Sequence, residues 1–208
     1  MPDDGIARNL DTIRRGIQAA ADRAGRSPAS ITLVAVSKTF SADDVRAAAA
    51  AGQRVFGENR VQEAIPKIEA LADLHLEWHL IGHLQSNKAR KVVPAFAWVE
   101  SIDGLDLLMK VDAAASEIGV RRSILIQVDL AHEATKHGAD AATLRPLVDA
   151  ALESRALDLR GLMLVPPIPD QAEDSRPWFR QLRALRDALV SDGVPADRLG
   201  DLSMGMSG

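Results

Sequence analysis

The chain has 208 residues, 47% hydrophobic and 26% charged, with 25 basic against 29 acidic side chains and a net charge of −4. That is the make-up of a globular domain with a sizeable core, and it offers no basic surface for nucleic acid or for an anionic membrane. Cysteine and tyrosine are absent, which excludes disulfides, thiolate chemistry and phenol acid/base catalysis.

The acidic opening MPDDGIARNL lacks the apolar stretch of a secretory signal. No apolar run approaches the ~20 residues of a membrane span, so the expected compartment is the cytoplasm. In chain order, Ile6, Leu10, Ile13, Ile17, Ala20 and Ala24 recur at spacings of four and three and predict an amphipathic helix, ended by Gly25 and Ser27-Pro28. ITLVAV at 31–36 predicts a strand without charge and covered on both faces. Ser41 is the expected N-cap of an alanine-rich helix that runs to Gly52, with Asp43 and Asp44 in its first turn.

Residues 54–57 form the next short strand, stopping at Glu58-Asn59. Val61, Ala64, Ile65 and Ile68 stripe the helix after it, with Pro66 in its first turns. A third strand spans 77–81 and a fourth 97–100, with a short basic helix at 87–93 between them. Leu105, Leu108, Ala115 and Ile118 mark a helix, 123–129 a fifth strand, and Leu144, Leu147, Val148, Ala151 and Leu152 another helix. A sixth strand at 159–165 runs into Pro166-Pro167. Trp178, Leu182, Leu185 and Leu189 then define a helix, and Asp201–Met204 begins a seventh strand.

Unbroken alternation of strand and helix means parallel βαβ units. Two architectures accommodate it, a (β/α)₈ TIM barrel with an extra N-terminal helix and an open doubly wound sheet. The special residues decide between them. Lys38, Glu58-Asn59, Gly82-His83, Asp129, Pro166-Pro167 and Ser203 all fall at strand carboxyl ends, which converge on one mouth in a barrel, whereas an open sheet gathers only some of them at its switch point. The reading is a single TIM-barrel domain over residues 1–208.

Lys38, at the end of the first uncharged strand, is either a solvated lysine that ends a strand or a nucleophile whose amine is tuned by partial burial for Schiff-base formation. SMGMSG at 203–208 is either a loose terminus or a phosphate cradle of backbone N–H groups and serine hydroxyls. Neither GxxxxGK[ST] nor GxGxxG occurs. His75, His79 and His83 have the four-residue spacing of helical metal ligands. His79 lies in a strand, however, and no carboxylate completes a motif, so no metal site is assigned and His79 or His83 is read as lining the mouth. The polar loop 132–138 stands where a lid or anion site would be.

Taken together, AVSKT at 35–39, FGENRVQEA at 56–64, WHLIGHLQSNK at 78–88, TKHG at 135–138, GLM at 161–163 and SMGMS at 203–207 resemble the pyridoxal phosphate homeostasis protein family, whose fold is that of the barrel domain of alanine racemase. The resemblance covers essentially the whole chain. It implies pyridoxal 5′-phosphate bound through a Schiff base to Lys38. It also implies Asn59, His79, Ile81 and Met163 lining the pocket, and Ser203, Met204, Gly205 and Ser207 beside the phosphate. Similar proteins continue past SMGMS with a helix and a final strand whose arginine faces the pyridine nitrogen, so the last β/α unit is expected to be missing from this chain.

The resemblance further implies a monomeric cytoplasmic carrier that buffers the cofactor and delivers it, transiently, to pyridoxal phosphate-dependent apoenzymes. The rival is a pyridoxal phosphate-dependent enzyme such as a weak amino-acid racemase, with His79 or His83 as second base. A racemase needs two bases, one on each side of the α-carbon. With no tyrosine and no second domain, the carrier is the favoured reading, and no catalytic residue is assigned.

Overall fold

The computed structural model describes residues 4–130, 137–168 and 170–204. The chain forms two compact units, Met1–His79 and Leu80–Gly208. In the first, α1 (Asp4–Arg23) buries Leu10 and Ala21 and ends where Gly25 turns to φ 63°. The strand expected over 31–36 is only two residues long, β1 (Ala35–Val36), and residues 31–34 before it are half-buried or exposed rather than covered on both faces. Gln53 supplies the physical reason. Its buried side-chain amide donates to the carbonyls of both Leu33 and Val55 at 2.7 Å, standing between the two chain segments where a backbone ladder would otherwise continue.

Ser41 caps α2 (Ala42–Ala50) in a full capping box: the Ser41 N–H donates to Asp44 Oδ2 at 2.9 Å and the Asp44 N–H to Ser41 Oγ at 3.2 Å. The Ser41 hydroxyl also donates to Asp44 and holds that carboxyl below its ordinary pKa. The box is therefore complete at neutral pH and opens as the pH falls through the lowered value. Ser41→Ala is expected to cost about 1 kcal/mol in urea unfolding at pH 7, the usual loss for an N-cap.

β2 (Val55–Glu58) pairs parallel with β1 in the register Ala35↔Phe56 and Val36↔Gly57. α3 (Val61–Ala70) follows, with Pro66 in its second turn, where the missing N–H leaves the Gln62 carbonyl without its helical partner. β3 (Glu77–Leu80) lies beside β2, the Glu77 N–H donating to the Arg54 carbonyl at 2.9 Å. The Phe56 and Trp78 rings meet at 5.5 Å and, with Ala64 and Leu71, form the buried centre of this unit.

The second unit contains α4 (Ala89–Val92), β4 (Trp98–Ile102), α5 (Leu105–Glu117), β5 (Arg122–Gln127), α6 (Leu144–Leu152), β6 (Leu157–Leu164), α7 (Arg176–Ser191) and β7 (Asp201–Met204). β4, β5, β6 and β7 pair in that order, all parallel, with a helix between each pair of consecutive strands. The consecutive residues Ile124, Leu125 and Ile126 are all buried, so β5 is covered on both faces as its uncharged sequence predicts. β6 approaches β7 so closely that a Cβ on Gly161 would lie 1.7 Å from the Asp201 carbonyl oxygen. Among the described residues, no helix is long and apolar enough to cross a membrane.

Candidate functional site

Lys38 follows directly from β1. The Ser37 N–H continues the pairing by donating to the Gly57 carbonyl at 2.9 Å, and the chain then turns, the Phe40 N–H donating to the Ser37 carbonyl at 3.1 Å. Lys38 and Thr39 are the two central residues of this turn, and Thr39 takes φ 68°, the left-handed value demanded at the second central position of a type II turn. Lys38 is half-buried, and among the described residues no hydrogen bond or ion pair holds its amine. An amine in that condition is available to an incoming electrophile, whereas one tied into an ion pair would first have to break it.

The turn is secured from below by groups that the sequence reading did not bring together. Glu58, at the end of β2, is fully buried. Its Oε1 accepts from Ser37 Oγ at 2.7 Å and from Lys67 Nζ at 2.6 Å. Lys67 reaches in from α3, its side chain only 9% exposed, and also donates to the Ser37 carbonyl at 2.7 Å. One buried ammonium thus engages the carboxylate of the second strand and the carbonyl that opens the Lys38 turn. Glu58 Oε2 is buried with no hydrogen-bond partner among the described residues, so nothing but Lys67 and Ser37 compensates this carboxylate. The sequence signal was available: Lys67 stands one helical turn after Ala64, which is completely buried, where a long basic side chain can only run along the core.

Asn59, immediately after Glu58, is half-buried. His79 is 4% exposed in β3, its Nε2 3.0 Å from Glu77 Oε1 on the same strand face. Because His79 belongs to a strand, its four-residue spacing from His75 and His83 does not produce a helical metal face. These residues belong to the first unit together with Lys38.

In the second unit, Ile81 and Met163 are buried, and Met163 pairs in register with Ser203 of β7. The Ser203 hydroxyl donates to Glu100 Oε2 at 2.5 Å. Its proton is therefore directed at a carboxylate, and using that proton for a phosphate requires the hydroxyl to rotate. Met204 closes β7 and is 40% exposed. Gly205 and Ser207 lie outside the described residues, as does the 132–136 part of the polar loop. His83 is exposed and its Nδ1 stands 3.1 Å from Asp103 Oδ2.

Residues 8–208 match the family described as alanine racemase, N-terminal domain. The pyridoxal phosphate homeostasis protein of Aquifex aeolicus is 39% identical over 198 residues, covering 95% of this chain and 86% of that protein. Its counterpart in Escherichia coli K12 is 41% identical over 208 residues, covering 97% and 86%. The solved structure of PipY from Synechococcus elongatus with PLP bound superposes with a TM-score of 0.83 at 41% identity, covering 97% of this chain and 89% of that one. The chain belongs to the alanine racemase N-terminal-domain family and, within it, to the pyridoxal phosphate homeostasis proteins.

Proposed function

We propose that this protein binds pyridoxal 5′-phosphate at Lys38 and serves intracellular homeostasis of that cofactor, holding it and passing it on. The observation that carries the reading is the Lys38 amine, partnerless among the described residues and presented on a turn that Lys67 and Glu58 secure. Bound pyridoxal phosphate supplies an aldehyde with which a primary amine condenses to a Schiff base, and a phosphate that needs donors. Lys38 fits the first requirement. The backbone N–H groups of Met204, which closes β7, and of Gly205 and Ser207, which follow it in sequence, are proposed for the second, with Ser203 contributing once its hydroxyl turns from Glu100.

Asn59, His79, Ile81 and Met163 are proposed to line the pocket and to exclude water from the reacting carbon. A carrier needs the amine to be reachable and reversible in its bonding; it does not need a proton donor and acceptor on opposite faces of a substrate. The architecture that goes with this reading is a single (β/α)₈ TIM-barrel domain with an extra N-terminal helix. The continuous family match over 8–208 supports one domain. A monomer in the cytoplasm, meeting pyridoxal phosphate-dependent apoenzymes only transiently, completes the proposal.

The test is borohydride reduction after addition of pyridoxal phosphate, followed by peptide mass mapping. The adduct is expected on the peptide containing Lys38 and is expected to vanish in Lys38→Arg. An adduct of equal yield elsewhere would overturn the assignment. Incubating the loaded protein with L-alanine in deuterated water separates carrier from racemase: α-proton exchange is expected at the rate of the free cofactor, and exchange well above it would establish an enzyme.

A further inference from the structure

We infer that His83, Asp103 and His137 form a binding site for a divalent transition metal of the zinc class, carried entirely by the second unit. The three residues come from separate parts of the sequence but arrive at one point. His83 Nδ1 lies 3.1 Å from Asp103 Oδ2, and His137 Nδ1 lies 3.8 Å from the same oxygen. The ligand atoms of all three fall within 4.8 Å of one another. Zinc bonds of roughly 2.0–2.1 Å to nitrogen and oxygen place the corners of a tetrahedral site about 3.3 Å apart, so the two distances to Asp103 bracket the edge that a metal would impose.

The residues are held there by buried groups that have no other evident task. Ser101, fully buried in β4, donates its hydroxyl to the Gly82 carbonyl at 2.7 Å and so anchors the chain just before His83. Gln127, 7% exposed at the end of β5, donates its amide to the His137 carbonyl at 2.6 Å. The Ala139 N–H donates to the Gln127 carbonyl at 2.8 Å. Gly138 permits this approach, since a Cβ there would stand 2.6 Å from the Asp129 nitrogen. Asp103 follows β4 directly. The backbone that carries His83 and His137 is therefore anchored to the strand ends by buried polar side chains, while the imidazoles themselves stay free to turn.

The two imidazoles are stacked, ring centroids 3.5 Å apart and planes within 10°. Parallel rings point their lone pairs in parallel, so loading requires one ring to swing until both planes contain the metal. The terminal torsion of histidine is broad, and the side chains are 39% and 54% exposed, which leaves room for that rotation. Two imidazoles and a carboxylate suit zinc, copper or nickel, whereas magnesium and calcium favour oxygen-rich sites. Three protein ligands leave a fourth position for water or a small anion.

Isothermal titration of the tag-free protein with zinc chloride, without pyridoxal phosphate, is expected to show one equivalent bound and no binding of magnesium chloride. His83→Ala and His137→Ala are each expected to weaken zinc binding by at least tenfold to a hundredfold, the loss that follows removal of even an outer partner of a metal ligand. Both residues are exposed, so the variants should keep the wild-type urea midpoint. In proton NMR, the imidazole resonances of His83 and His137 alone should move when zinc is added. Absence of a one-to-one zinc complex in the wild type, or binding unchanged in both variants, overturns the proposal. Its outcome is independent of the Lys38 adduct test.

Discussion

Lys67→Met is expected to destabilise the protein by about 3–5 kcal/mol, the cost of removing one partner from a buried ion pair. The lysine is the only cation bonded to Glu58 among the described residues, and Glu58 is fully enclosed with one oxygen already lacking a partner. Methionine keeps the length and the apolar stem but leaves the carboxylate with a single donor, the Ser37 hydroxyl. Urea denaturation at pH 7 measures the loss. The double variant Glu58→Leu/Lys67→Met is expected to recover most of it, because an apolar pair of similar volume escapes the desolvation penalty that the ions incur. What the double variant should not recover is the Lys38 adduct: with the Ser37 carbonyl and hydroxyl released from below, borohydride trapping of pyridoxal phosphate should fall well under the wild-type yield. A single variant as stable as the wild type would show that Glu58 does not depend on this lysine.

Gly161→Ala carries the second large effect, a loss on the order of 3 kcal/mol, at the upper end of overpacking costs. The added methyl would have to occupy space 1.7 Å from the Asp201 carbonyl oxygen, and its neighbour atoms there are backbone, not the movable end of a side chain. β6 and β7 pair at this residue, Gly161 opposite Asp201, and the same register places Met163 opposite Ser203. Relief must come from displacing β7, which carries both candidate phosphate-side residues that the structure describes. Equilibrium unfolding should show the drop. The companion variant Arg160→Ala is exposed and ion-paired to the same Asp201 at the surface; it should cost under about 1 kcal/mol, which separates strand collision from loss of a surface contact.

The alternation of strands and helices was legible in the sequence because the core-facing periodicities are strong. α6 begins and ends where its leucine and valine stripe does, and β5 declares its double burial through uncharged residues. The first strand is shorter than its uncharged run predicts, for a physical reason. An uncharged run says that a segment can be buried; it does not say whether a backbone ladder or a side-chain amide such as that of Gln53 will satisfy its carbonyls. The Lys38 position was readable as a strand-end lysine. Its support was not, because Glu58 and Lys67 lie nine residues apart on a strand and a helix and meet only after folding. His83, Asp103 and His137 were hidden in the same way, because they lie in three separate stretches of the sequence and meet only after folding.

Thr39 is β-branched and stands beside the proposed reactive amine. A β-branched residue at φ 68° sits in backbone territory that costs an L-amino acid roughly 1–2 kcal/mol, and glycine would occupy it at little cost. The residue beside the proposed reactive amine is therefore one at which selection for stability and selection for a rigidly aimed lysine pull in opposite directions. A stability-driven redesign would choose glycine there first, and in doing so would turn a stiff mount into a swivel.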